Sequence, residues 1–149
     1  MLRPILVLAF TALSLTAAQA QDRPTLEILW PPEGAVIELG SDLEKVVGVV
    51  VESNFELAPG GSCGTNDQCG HIHMKIDPVG DTCNIPELTY NSMNSDFGGD
   101  LIKARFGHCP NPLGTHVIGI LLADQDHQPV IVDGKPVTAL VTVTTRAAE

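Results

Sequence analysis

The chain has 149 residues, of which 44% are hydrophobic, 4% aromatic and 17% charged, with 8 basic residues against 18 acidic ones. This composition excludes a disordered tail, a collagen-like repeat and a multidomain enzyme. A formal charge of −10 argues against nucleic acid or anionic lipid surfaces as partners.

The first 20 residues read as a secretory signal. Arg3 supplies the positive n-region, Ile5 to Leu15 the apolar h-region, and Ala18-Gln19-Ala20 the small-x-small cleavage site. Residues 21–149 are then expected to be a single domain, periplasmic or secreted. No later apolar run approaches the ~20 residues that a membrane span needs.

In the expected domain, Leu26, Ile28 and Trp30 share one face of a first strand that Pro31-Pro32 stops. Pro32 to Ala35 is a turn, and Val36 to Leu39 a short continuation. Val46 to Leu57 reads as one long core strand with Gly48 at a bulge, because it is rich in β-branched residues. Residues 58–70 concentrate glycine, asparagine and aspartate and form a loop. Gly70 to Asp77 alternates cleanly, with Ile72, Met74 and Ile76 on one face and His71, His73 and Lys75 on the other. If the apolar stripe faces the core, the histidines face outward and are accessible.

Residues 78–112 lack strong periodicity; short edge strands are expected near Glu87 to Tyr90 and Leu101 to Phe106. Gly114 to Asp124 is apolar on both faces, as in a central strand, and Asp124 to Pro129 breaks it. Val130 to Val132, the Asp133-Gly134 turn and the alternating Val137 to Thr144 complete the pattern. About seven short strands with no 3.6-residue period indicate an all-β, antiparallel immunoglobulin-like sandwich with Greek-key connections.

Cys63, Cys69, Cys83 and Cys109 make an even set in a chain expected to be exported, which reads as two disulfides. Of three connectivities, Cys63–Cys69 and Cys83–Cys109 is favoured. The first closes a short polar loop and the second ties the ends of a long irregular stretch. A zinc site is the competing reading, but Cys-x5-Cys without a second close pair is poor zinc-finger spacing.

Four short patterns occur in order. Pro31-Pro32-x-Gly34-Ala35 follows the first strand, Gly70-His71-x-His73 lies on the middle one, Gly114-x-His116 opens the long apolar one, and Asp124-x-x-His127-x-Pro129 follows it. Together they resemble small immunoglobulin-like domains of exported bacterial proteins, over most of residues 25–145. The resemblance implies the fold and no activity. The Cys63–Cys69 loop and the Cys83 to Cys109 stretch depart from it. A His-x-His on a sandwich strand, with a disulfide and export, also looks like copper/zinc superoxide dismutase. The zinc loop of that enzyme, with its several spaced histidines, has no counterpart here.

Strand residues i and i+2 project to one face about 6.5 to 7 Å apart, so the imidazoles of His71 and His73 can converge on one ion. In an immunoglobulin-like order the strand of His116 neighbours theirs. His116 and His127 then complete a candidate set of four ligands suited to Cu(II) or Zn(II). The competing reading keeps them structural: His116 in the place of a corner tyrosine, His127 bonding within its Asp-rich turn. Asp124, Asp126 and Asp133 lack the spacing of a calcium loop. Met74 shares its register with core residues, and His108 beside Cys109 is a metal pair only if the cysteine is reduced.

Two function classes follow. One is a non-catalytic binding or interaction module that meets a protein or glycan partner through edge strands and the loop from Pro78 to Pro112. The other is a Cu- or Zn-binding carrier or sequestering protein. Enzymatic activity ranks third, since no nucleophile motif or paired carboxylate stands out.

Overall fold

The computed structural model describes residues 23–79, 83 and 99–149. The expected signal and the strand expected at 87–90 lie outside the described residues.

Strands β1 (Leu26–Trp30), β3 (Val46–Ser53) and β6 (Leu101–Arg105) form one sheet in the order β1-β3-β6. A second sheet has the order β2-β10-β7-β5-β4, from β2 (Ala35–Leu39), β10 (Thr138–Ala147), β7 (Gly114–Ala123), β5 (Cys69–Ile76) and β4 (Glu56–Leu57). Pairing is antiparallel except at the rims of this larger sheet, where β2 runs parallel to β10 and β4 parallel to β5. A hairpin of β8 (Ile131–Val132) and β9 (Lys135–Pro136) precedes β10. The chain crosses between sheets from β1 to β2, β2 to β3, β3 to β4, β5 to β6 and β6 to β7. This is an immunoglobulin-like β-sandwich.

Local chemistry explains the elements. Asp133 and Gly134 both have positive φ, 51° and 76°, the pair that a two-residue hairpin of type I′ requires. The Pro-Pro turn leads to Glu33, whose carboxylate accepts the Thr142 N–H at 2.8 Å and joins the turn to β10. The long strand expected over Val46 to Leu57 is instead two strands in different sheets. Asn54 ends β3 by accepting the Thr25 N–H at 2.7 Å and donating to the Arg23 carbonyl at 2.8 Å. Gly48 pairs regularly with Lys103, so no bulge occurs there; the register shift falls in β1, between Ile28 and Trp30.

Between the sheets lie Val47, Val49 and Val51 of β3, packed over Ile72, Met74 and Ile76 of β5 and Ile118, Ile120 and Leu122 of β7. Burying each such side chain contributes about 1.5 to 3 kcal/mol.

One expectation is overturned on the other face of β5. His71, His73 and Lys75 do point away from the core, yet they are 0%, 6% and 0% exposed. Both faces of β5 are covered, so the histidines are not an accessible surface pair. Gly119 of β7 stands opposite Lys75, leaving space for its stem. Burial pushes the Lys75 ammonium below the usual lysine range.

Candidate metal centre

The antiparallel register of β5 and β7 sets His71 opposite Ala123 and His73 opposite Leu121. β7 ends at Ala123, and the chain turns back directly beside His71. The turn is stapled by Asp124, whose Oδ1 accepts the N–H groups of Asp126 and Gln128, both at 2.9 Å. The His127 N–H donates to the Asp124 carbonyl at 3.1 Å. His127 takes φ 62°, a left-handed conformation that costs a non-glycine residue about 1 to 2 kcal/mol. Its ring lies 4.6 Å from that of His71 and 5.6 Å from that of His73, centroid to centroid.

Three imidazoles therefore meet. One ring nitrogen from each of His71, His73 and His127 lies within 4.8 Å of the others. The Nε2 atoms of His71 and His73 are 2.8 Å apart. In the ion-free pair, one Nε2–H donates to the other nitrogen; with an ion between them, both present lone pairs.

The loop of residues 58–62 closes over this cluster. A Cβ on Gly60 would stand 2.7 Å from His127 Cε1 and 3.4 Å from His71 Cε1, so any larger residue pushes the exposed His127 ring out of its present place. Gly70 is required for a related reason, since its Cβ would fall 2.3 Å from the Ala123 carbonyl oxygen and force β7 away. The Cys63–Cys69 disulfide ties the loop to the first residue of β5. Beside it is a cleft of about 290 Å³ whose lining includes Asp67, Asp124 and Asp126. Three carboxylates at one mouth concentrate cations.

His116 does not join this cluster. It has the parity of Ile118 and Ile120, which puts it on the core side of the sheet, beyond the last β5–β7 pair at Ile76 and Ile118. The candidate set of four ligands becomes three. The His116 ring packs edge-on against Phe106 at 5.3 Å, and its Nδ1 meets Asp77 Oδ2 at 2.7 Å. Asp77 also accepts the Val117 N–H at 2.8 Å, pinning the chain after β5 to the start of β7.

The remaining candidates find other partners. Asp133 pairs with Arg23 at 2.7 Å, and Asp124 Oδ1 is engaged by backbone N–H groups. His108 lies 3.5 Å from Glu44, and Cys109 is bonded to Cys83. Both disulfides have the favoured connectivity. Gly60 and Asp77 are site-forming residues that sequence reasoning missed. A glycine in a glycine-rich loop and an aspartate after a strand give no signal of their own.

The fold and the cluster define a class: an immunoglobulin-like sandwich with three converging imidazoles, two buried and the third, His127, exposed, at one end of its central strands. No family model matches the chain, and no curated protein matches it. Among solved structures it is similar to fibronectin(III)-like modules of Clostridium thermocellum CbhA. The identity is 11%, covering 84% of this chain and 100% of that one, with a TM-score of 0.46. It is also similar to an endo-beta-1,4-mannanase from Thermotoga petrophila at 12% identity and TM-score 0.43; the match covers 89% of this chain and 22% of the enzyme. Among the described residues no helix is long and apolar enough to cross a membrane.

Proposed function

We propose that residues 21–149 form an exported metal-binding domain, following a signal at residues 1–20, which holds a Cu(II) or Zn(II) ion on His71, His73 and His127. Its role is that of a carrier or sequestering protein. The observation that carries this reading is the convergence of three ring nitrogens within 4.8 Å. With metal–nitrogen bonds of about 2.0 Å, neighbouring corners of a square are about 2.8 Å apart and those of a tetrahedron about 3.3 Å. The 2.8 Å between the His71 and His73 nitrogens is the hydrogen bond of the ion-free pair and lies close to either spacing. Cu(II) is favoured over Zn(II) because imidazole sites follow the order of divalent-metal affinity in which copper stands above zinc.

Two features support the reading. The acidic cleft beside the loop attracts cations, and the disulfides match an oxidising compartment. The interaction-module reading drew on residues 78–112, of which 80–82 and 84–98 lie outside the described residues.

The test is the metal content of the mature oxidised protein and its titration with Cu(II) and Zn(II). Binding at one ion per chain, with Kd below about 1 μM and Cu(II) the tighter, supports the reading. His127→Ala should weaken it and His116→Gln should leave it unchanged. No stoichiometric binding by either ion overturns it.

A further inference from the structure

His116 carries the features of a metal ligand at a different place. It is 6% exposed, and the Asp77 carboxylate, an acceptor only, fixes its proton on Nδ1. The lone pair is then on Nε2, which is buried and has no hydrogen-bond partner among the described residues. A carboxylate holding the far nitrogen of an imidazole is the usual way that a metal-ligating histidine is oriented. The sulfurs of Cys83 and Cys109 and a ring nitrogen of His116 lie within 4.8 Å of one another. These three residues and Asp77 help to line a cleft of about 260 Å³.

In the oxidised chain the two sulfurs are bonded to each other, which removes them as thiolate ligands. We infer that Cys83, Cys109 and His116 form a redox-gated site for a borderline divalent cation of the Zn(II) class, closed as the disulfide and open as the dithiol. A dithiol reductant transfers two electrons and two protons, becoming a disulfide itself and leaving two cysteine thiols. The cation then displaces both protons and takes two thiolates and the His116 Nε2, with its fourth position open to water. Oxidation by a small disulfide runs the other way: the two thiolates lose two electrons to it, the S–S bond re-forms, and the cation leaves. The dithiol is the state of the chain before its disulfides form, so a bound cation would delay Cys83–Cys109 closure. This site is independent of the His71, His73 and His127 cluster, which contains no sulfur.

The experiment uses the full mature chain carrying Cys63→Ser/Cys69→Ser, so that a phosphine frees only the Cys83 and Cys109 thiols, titrated with Co(II) and read by thiolate-to-cobalt charge-transfer absorption beside far-ultraviolet circular dichroism. A histidine-only site gives no such absorption, so failure here and failure of the proposed function are separate results. The expected result is a thiolate band in the reduced chain, absent from the oxidised one. It should be lost in Cys83→Ser/Cys109→Ser and need at least about tenfold more Co(II) in His116→Gln. Asp77→Asn, which spares all three ligands, should weaken binding by about 10- to 100-fold. Oxidised glutathione should release the cobalt. A reduced chain that gives no band, or a band indifferent to both His116→Gln and Asp77→Asn, overturns the inference. So does a reduced chain that loses its β-sheet dichroism.

Discussion

The two ends of the β5–β7 pair hold histidines in contrasting settings. At one end, His71 and His73 lie on the outer face of the sheet, and their companion His127 arrives on a turn. At the other, His116 lies on the core face, held by Asp77 at 2.7 Å. The first set meets nitrogen to nitrogen, with 2.8 Å between two Nε2 atoms. The second meets a carboxylate and a disulfide. The same residue type on paired strands thus enters two different chemistries, and the difference is one of strand parity: His73 opposes Leu121, whereas His116 shares a side with Ile118 and Ile120. What surrounds an imidazole, more than its spacing in the chain, decides whether it can share an ion.

This contrast can be broken experimentally. The largest effect is expected from His71→Ala/His73→Ala, which removes two of three ligands and should weaken Cu(II) binding more than about 100-fold by calorimetric titration. Retained binding would move the metal elsewhere and end the distinction between the two ends. Asp77→Ala should act in the opposite sense. It strips partners from His116 and the Val117 N–H, so stability in urea should fall by about 3 kcal/mol, while Cu(II) affinity of the oxidised protein stays within about twofold. A matching loss of affinity would mean that the ends are coupled.

Gly60→Ala sharpens the comparison further. Its Cβ would displace His127, and Cu(II) affinity should drop by about tenfold, or 1.4 kcal/mol, with little change in thermal midpoint. Binding should also fall on acidification, because ligand imidazoles must be neutral. The smallest effect belongs to neither end. The Thr142 N–H beside Glu33 holds its carboxyl below the usual carboxylate range. Its contribution to stability is present above that range and is lost as pH falls through the lowered value. Glu33→Gln should therefore flatten a narrow part of the acid limb of an unfolding-versus-pH profile and alter nothing else.

Much of the architecture was legible because it follows from short-range rules. Period-two alternation located β5 and correctly divided it into an Ile72, Met74, Ile76 face and a His71, His73, Lys75 face, while a run apolar on both faces located β7. Asp133-Gly134 announced its hairpin, and the cysteines paired as their spacing suggested. The strand expected over Val46 to Leu57 failed because the break at Asn54 depends on bonds to Thr25 and Arg23, some 30 residues away; no local signal marks it. The expected exposure of His71 and His73 failed for a related reason. Alternation tells which side a residue takes, and not what covers that side.

The sequence by itself therefore determined most of the described strands, the two faces of β5 and the cysteine pairing, since each depends on residues close together in the chain or on a residue type with one common use. Only the tertiary structure decided which histidines meet. Register places the end of β7 beside His71 and so brings His127 to it, Gly60 permits the loop to close, and parity turns His116 toward Asp77 and the core. Those choices rest on contacts between segments far apart in the chain, from Asp77 and His116 to Gly60 and His127, made only when both faces of the central strands are packed.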